Sequence, residues 1–180
     1  MREKTREELI EQKINLENRL KSGAAWFFWI AGLSLVNSIV IKAGGNWGFI
    51  VGLGITQFID GIAIAADMGA VGNIITFGLN AIVVGIFILF GVLARKRNNG
   101  IFIAGMILYA LDGALFFIVK DFLGIGFHVF VLFCFYSGLK ANSELKILEA
   151  KMAVLAQVES EISLEEQPQE QLPPQNDLAE

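Results

Sequence analysis

The sequence contains very little cysteine, histidine and proline. Of its 180 residues, one is cysteine, one is histidine and three are proline. A single cysteine excludes a disulfide framework within the chain, and one cysteine with one histidine is too few for a four-ligand zinc site. The sequence also has no Gly-rich phosphate loop and no Ser, His and Asp set with plausible geometry. It therefore predicts neither an enzyme nor a bound cofactor.

Charged side chains are scarce in the central two thirds of the chain. There are 14 basic and 18 acidic side chains, but only ten of them lie between residues 24 and 140. Hydrophobic residues make up 54% of the sequence and 15 residues are phenylalanine, which exceeds what a soluble core of this size needs. We therefore predict an integral membrane protein whose main partner is the lipid bilayer, and the charge gives no reason to expect nucleic acid.

Four apolar runs are long enough to cross a membrane. The hydrocarbon core of a bilayer is about 30 Å thick, and an α-helix needs about 20 apolar residues to span it with its backbone groups paired. The four runs occupy residues 24–41, 72–94, 100–119 and 122–139.

A fifth run, residues 48–66, is less apolar because it contains Thr56, Gln57 and Asp60. Lys and Arg near membrane segments are retained on the cytoplasmic side. If this run does not span, twelve basic residues lie on one side and only Lys42 and Lys120 on the other. We therefore predict an all-α polytopic membrane protein with four transmembrane helices, residues 48–66 as a re-entrant or membrane-embedded Gly-rich helix, and both termini on the cytoplasmic side of the plasma (inner) membrane.

Five transmembrane helices are the alternative topology. The stretches that begin at Ile30 and Ile103 look like weak copies of one hairpin. Two copies separated by one extra helix would be inverted with respect to each other, as in many transporters. In that arrangement residues 48–66 are a true span.

The two ends of the sequence are amphipathic and soluble in character. Residues 1–23 place leucines on one helical stripe, and residues 141–164 follow the 3-4 spacing of a coiled coil. These flanking helices can pack on each other, on a neighbouring subunit or along the lipid headgroups. They border a membrane domain at 24–140, and residues 165–180 are predicted to be a disordered acidic tail. The stripe residues are Leu9, Leu16 and Leu20 in the first segment and Leu145, Leu148, Met152, Leu155 and Ile162 in the second.

Asp112 and His128 are the first candidate site, an intramembrane polar pair. Asp112 lies eight residues before Lys120, and His128 lies seven residues after Asp121. Across a tight hairpin the two side chains reach nearly the same depth, where a carboxylate and an imidazole can share one proton. One interpretation is a proton or cation relay, and the other is a hydrogen bond that fixes the hairpin.

The second candidate site lies on the fifth run. Its glycines recur every fourth residue, which is typical of helix faces that pack closely, and polar residues from this run and its neighbours could form a pocket or pore wall. The candidate packing ridge is Gly44, Gly48, Gly52 and Thr56, and the candidate polar pocket is Asn37, Gln57, Asp60 and Asn80.

Two functions from different classes are compatible with these patterns. We expect a non-enzymatic assembly or interaction component, which forms a homo-oligomer or supports a partner membrane protein. The alternative is a small proton or cation transporter or channel subunit that uses Asp60, Asp112 and His128.

Overall fold

The structure, a computed structural model, describes residues 2–43 and 52–165. Within these residues 92% of the chain is helical and no strand is present. The five helices are α1 (Arg2–Lys42), α2 (Gly54–Ala65), α3 (Gly69–Arg95), α4 (Asn99–Ile118) and α5 (Phe122–Glu165).

Four of these helices are long and apolar enough to cross a membrane. The candidate spans lie in Arg6–Ile41, Gly69–Arg95, Asn99–Ile118 and Phe122–Leu164. The all-helical fold predicted from the sequence is therefore confirmed, with four helices that could span a membrane in the predicted places. Helix α2 has 12 residues and measures about 18 Å, which is too short to cross a 30 Å hydrocarbon core.

Helices α1 and α5 continue without a break through the predicted borders of the membrane domain. Helix α1 has 41 residues and α5 has 44 residues, so each flanking amphipathic segment belongs to the same helix as the adjoining apolar run. The predicted disordered tail lies, beyond Glu165, outside the described residues.

Three short turns join the helices from α2 to α5. They occupy residues 66–68, 96–98 and 119–121, and each contains one residue other than glycine in the left-handed region: Asp67, Arg97 and Lys120, with φ of 44°, 68° and 57°. Such tight turns force successive helices to run antiparallel. The turn at 96–98 therefore marks one end of the bundle, called here the Arg97 end, and the other two turns mark the opposite end.

Aromatic rings fill the centre of the bundle. Helix α1 packs against α3 and α5, and α4 packs against α5. Phe27 of α1 is completely buried, and its ring centroid lies 4.0 Å from that of Phe135 and 6.0 Å from those of Phe90 and Phe102. Buried aromatic contacts of this kind add to the energy of area burial, and they tie α1 to α3, α4 and α5.

The amphipathic parts of α1 and α5 pack on each other beyond the membrane domain. Leu16 and Leu20 of α1 and Leu145 and Leu148 of α5 are buried, which matches one of the predicted alternatives. We call this helix pair, residues 6–22 of α1 and 142–165 of α5, the arm. The arm projects from the Arg97 end, since Lys13 of α1 lies 3.3 Å from Glu149 of α5 and Arg97 lies 2.7 Å from the same carboxylate.

Helix α2 is shorter than the predicted helix at 48–66. It begins at Gly54, and Gly52 and Leu53 precede it. Gly52 and Thr56 therefore do not share one helical face, as the predicted ridge requires, and Gly44 and Gly48 lie outside the described residues. A Cβ atom on Gly52 would lie 3.3 Å from Ser34 Oγ of α1, so this glycine packs within the chain.

Candidate functional site

The start of α2 is buried in the middle of the bundle. Leu53 is fully buried and Gly54 and Thr56 are buried beside it. The first N–H groups of a helix have no partner within the helix, and no water is present in the hydrocarbon core to bind them. Other parts of the protein must therefore supply the acceptors.

Side chains from α1 and α4 supply those acceptors. Leu53 N donates to Ser34 Oγ at 2.7 Å, Gly54 N donates to Asp112 Oδ2 at 2.8 Å and Ile55 N donates to Asp112 Oδ1 at 2.8 Å. Each carboxylate oxygen of Asp112 thus accepts one backbone N–H of α2. A carboxylate at this position also interacts favourably with the positive end of the helix dipole.

His128 of α5 completes this arrangement. Its Nε2 lies 3.0 Å from Asp112 Oδ2, and its Nδ1 lies 2.8 Å from the carbonyl oxygen of Gly124. The imidazole stacks on Tyr109, with ring centroids 4.3 Å apart and an interplanar angle of 14°. We call the set Ser34, Leu53, Gly54, Ile55, Asp112 and His128 the capping network.

The capping network lies at membrane depth. Asp112 stands thirteen residues after the start of α4 and six before its end, or about 20 Å from the Arg97 end and about 9 Å from the opposite end. Asp112 is 7% exposed and His128 is 2% exposed. The structure therefore brings together the first predicted pair, and it adds the start of α2 as the group that the pair binds.

A second polar cluster links α1, α2 and α3. Asn80 Nδ2 donates to Asp60 Oδ2 at 2.9 Å and to Ser38 Oγ at 3.0 Å. Asp60, Asn80 and Ser38 are each no more than 3% exposed. Two of the four residues predicted for a polar pocket are thus in contact, and Asn37 is buried next to Ser38 in the chain.

Gln57, the fourth predicted pocket residue, lines a groove between α2 and α4. The groove has a volume of about 360 Å³ and is lined almost entirely by apolar side chains, including Phe58, Ile62 and Phe116. Gln57 Nε2 has no hydrogen-bond partner among the described residues. The groove faces the part of the surface where large apolar side chains are exposed, as expected for contact with lipid tails.

A charged cluster lies at the Arg97 end of the bundle, where the arm begins. Arg97 donates to both oxygens of Glu149, at 3.1 and 2.7 Å, and Asn142 Nδ2 donates to the carbonyl oxygen of Arg97 at 2.8 Å. The hydrogen bonds from Arg97 hold the pKa of Glu149 below its usual value, and the same carboxylate raises the pKa of Arg97. This cluster fixes the turn at 96–98 to α5, and through Lys13 to α1.

Sequence reasoning missed Ser34 and Ser38 as members of these sites. Both are hydroxyl residues four positions apart in an apolar helix, and each accepts a hydrogen bond from a group outside α1. The available signal was the spacing, which places both hydroxyls on one face of α1. The buried start of α2 had no such signal, because its donors are backbone groups.

Comparison with known protein families, with curated proteins and with solved structures finds no match for this chain. The function must therefore be argued from the geometry above.

Proposed function

We propose that this chain is a non-enzymatic, four-span integral membrane protein that binds a partner protein through its arm. In this proposal α2 is a re-entrant helix, the capping network is a structural element that holds α2, and the Arg97 end faces the cytoplasm across the plasma (inner) membrane.

The contacts at the Arg97 end support four spans. The start of α1 and the turn at 96–98 must lie on one side of the membrane in the four-span topology and on opposite sides in the five-span topology. Lys13 of α1 and Arg97 both contact Glu149. These contacts support a chain that crosses twice between Lys13 and Arg97, through α1 and α3, with α2 returning to the side that it came from.

An exposed apolar strip on the arm is the observation that carries the proposed function. Helix α5 packs on α1 through Leu145 and Leu148, but Ile147, Val154 and Val158 are 71%, 58% and 46% exposed. We call these three residues, with Ala150 between them, the outer strip. If α5 spans the membrane with about 20 residues from Phe122, Val154 lies about 20 Å beyond the hydrocarbon.

Exposure of such a strip to water is energetically unfavourable. Burying the exposed part of these side chains would contribute roughly 1 kcal/mol each. The strip extends over twelve residues, from Ile147 to Val158, or about 17 Å, which matches one face of a partner helix laid along α5. Exposed apolar surface at helical spacing is typical of protein interaction sites.

The charges beside the outer strip favour a partner with acidic residues. Lys146 and Lys151 border the strip on its two sides, since they lie about 100° and 40° from Ile147 around the helix axis. Neither lysine has an ion pair with a described residue, whereas Lys140 lies 3.8 Å from Glu144 and Lys13 lies 3.3 Å from Glu149. An amphipathic helix flanked by Glu or Asp would neutralise both lysines.

The same lysines disfavour a second copy of this chain as the partner. Copies in one membrane share one orientation, so their α5 helices would meet in parallel about a twofold axis along the membrane normal. Lys146 of one copy would then approach Lys151 of the other, and like charges across such a seam are destabilising.

A photo-reactive amino acid at the outer strip tests this proposal. Replacement of Val154 by a photo-crosslinking residue in intact cells should give an adduct with another protein. Ala153 is also exposed but lies about 100° away around the helix axis, so the same replacement there should give no adduct and serves as the control. Adducts with lipid alone, with a second copy alone, or equally from both positions would contradict the proposal.

A synthetic helix gives a second readout. A 21-residue amphipathic peptide with an Ile and Leu strip flanked by Glu should bind the purified protein, and the same peptide with Lys in place of Glu should bind at least tenfold more weakly. Val154→Glu and the pair Lys146→Glu with Lys151→Glu should each abolish binding of the Glu peptide. Equal binding of both peptides would contradict the proposal that the partner carries acidic residues.

A second candidate function is favoured by the cluster of Asp60, Asn80 and Ser38. A carboxylate buried at membrane depth is a common feature of ion pathways, so proton or cation transport through Asp60, with Asp112 and His128, is the alternative. Its test is ion flux into liposomes, which the alternative predicts to be lost in Asp60→Asn. If the unmodified protein carries no flux, the transport alternative fails and the binding proposal is the one that remains.

A further inference from the structure

The geometry points to a proton-binding site formed jointly by Asp112 and His128, in which one bound proton holds the start of α2 inside the bundle. This inference does not depend on what the arm binds.

Nδ1 of His128 has a backbone carbonyl oxygen as its partner. This atom lies 2.8 Å from the carbonyl oxygen of Gly124. A carbonyl oxygen only accepts hydrogen bonds, so Nδ1 must carry a hydrogen and donate it. The histidine is therefore either the neutral Nδ1–H tautomer or the doubly protonated imidazolium.

Nε2 of His128 has the Asp112 carboxylate as its partner. This atom lies 3.0 Å from Asp112 Oδ2. A neutral Nδ1–H tautomer has only a lone pair at Nε2, and an ionised carboxylate has only lone pairs on its oxygens. One hydrogen must therefore lie between the two atoms, carried by Nε2 or by Oδ2, and the pair as a whole is electrically neutral.

His128 carries the shared proton. Asp112 Oδ2 already accepts the N–H of Gly54, and Oδ1 accepts the N–H of Ile55. Two backbone donors and the positive end of the α2 dipole stabilise a negative carboxylate. Asp112 is thus the carboxylate and His128 the imidazolium, and the proton bridges α4 and α5 beneath the first turn of α2.

Among the described residues, no other side chain is placed to supply the hydrogen between His128 Nε2 and Asp112 Oδ2. Tyr109 and Phe116 of α4 both pack against the imidazole, with centroids at 4.3 and 4.7 Å. The contact from α2 is made by backbone N–H groups, and the contact from α1 is the hydroxyl of Ser34 on Leu53. The other titratable groups nearby are Tyr109, Asp121 seven residues earlier in the chain, and Asp60 six residues along α2.

The arrangement is complete in only one charge state. Removal of the proton would leave the lone pair of Nε2 facing the carboxylate oxygen. Addition of a second proton, to the Asp112 carboxylate, would place a carboxyl O–H against the N–H donors of Gly54 and Ile55. Both changes create a repulsive contact that pushes the carboxylate out of its place beside the N–H groups of Gly54 and Ile55, at a depth where water does not replace it, and the start of α2 is released.

The chain offers a direct test because His128 is its only histidine. After selective ¹⁵N labelling of histidine, NMR of the purified protein should give one imidazole with hydrogens on both ring nitrogens near neutral pH. An alkaline titration should then show loss of the Nε2 hydrogen with Nδ1–H retained. A neutral ring protonated at Nε2 alone would overturn the inference, because Nδ1 could not then donate to Gly124.

Hydrogen exchange tests the link between the proton and α2. After correction for the intrinsic exchange rate, the amides of Gly54 and Ile55 should lose at least tenfold in protection when the imidazole loses its Nε2 hydrogen. The amide of Ile101, which donates to the Asn98 side chain at 3.3 Å, is the internal control and should not change with it.

Two variants test whether the start of α2 is held by the shared proton or by a hydrogen bond that does not depend on pH. His128→Phe should lower the protection of Gly54 and Ile55 and remove its alkaline dependence, whereas Tyr109→Phe keeps the stacked ring and should leave both unchanged. Protection of the two amides that is the same in His128→Phe and in the unmodified protein at neutral pH would overturn the inference. The NMR measurement needs no variant, so the test stands even where His128→Phe fails to fold.

Discussion

Gly23 of α1 and Gly138 of α5 face each other where the two longest helices cross. A Cβ atom on Gly23 would lie 2.5 Å from Cα of Gly138, and one on Gly138 would lie 2.9 Å from Cα of Gly23. The obstacle is backbone in both directions, so no side chain can rotate to make room. The close approach of α1 and α5 therefore depends on hydrogen atoms at both positions.

Gly23→Ala is accordingly expected to destabilise the protein. The added methyl group must push the two helices apart, which costs about 1–3 kcal/mol for overpacking of this kind. Thermal unfolding in detergent measures the effect. Gly32→Ala on the same helix is the matched control, since a Cβ there meets nothing within 4 Å, and it should be neutral or slightly stabilising. Equal melting temperatures for the two variants would show that the crossing is looser than described.

Substitutions of Asp112 should destabilise the protein in a defined order. Asp112→Leu removes the acceptors of Gly54 N and Ile55 N, which both lie at 2.8 Å, and each buried donor left without a partner costs about 1–3 kcal/mol. Asp112→Asn retains one carbonyl oxygen and should cause about half of that loss. Melting temperatures compare the two variants.

The exposed residue Asp67 provides the control for this series, because Asp67→Asn removes one negative charge outside the capping network. It should change the free energy of unfolding by less than about 0.5 kcal/mol. An Asp112→Leu variant as stable as Asp67→Asn would mean that α2 is held without the carboxylate.

The pair of Arg97 and Glu149 should make stability depend on pH in the acid range. The pKa of Glu149 is lowered from 4.5, first by its hydrogen bond to Arg97. A lowered folded-state pKa means that the contribution is present above pH 4.5 and is lost as the pH falls through the folded pKa. The side chains are 35% and 32% exposed, so solvent screening limits the contribution to about 1 kcal/mol.

Unfolding of Glu149→Gln between pH 7 and pH 3 measures this contribution. The variant should be less stable than the unmodified protein at pH 7, and the two curves should converge as the pH falls through the lowered folded-state pKa of Glu149. Glu144→Gln is the comparison, because Glu144 is 40% exposed and its pairs with Arg19 and Lys140 are longer, at 3.6 and 3.8 Å. A constant difference between the unmodified protein and Glu149→Gln across the whole range would refute the ion-pair explanation.

Cysteine labelling should place the start of α1 and the turn at 96–98 on the same side of the membrane. In a Cys134→Ala background, single cysteines at Lys21 and Lys96 should react with a membrane-impermeant maleimide from one side, and a cysteine at Asp67 from the other. The reason is that, in the proposed four-span topology, α1 and α3 each cross once and α2 does not. In the five-span topology, cysteines at Lys21 and Asp67 would instead react from the same side.

The membrane class, the four candidate spans and their approximate ends were determined by the sequence alone. Long apolar runs have one stable solution in lipid, a helix with its backbone groups paired internally, so local composition was sufficient. The stripes of Leu16, Leu20, Leu145 and Leu148 likewise predicted that the amphipathic segments pack on each other as one alternative, because a 3.6-residue period gives the buried face directly.

Only the tertiary structure decided where α2 begins and what binds its first turn. The donors are backbone N–H groups of Leu53, Gly54 and Ile55, and backbone groups are the same in every sequence. Equal depth for Asp112 and His128 followed from counting residues, but contact between them depends on how α4 and α5 rotate about their axes. Long-range packing sets that rotation, and the glycine spacing that predicted a ridge from Gly44 to Thr56 said nothing about the break before Gly54.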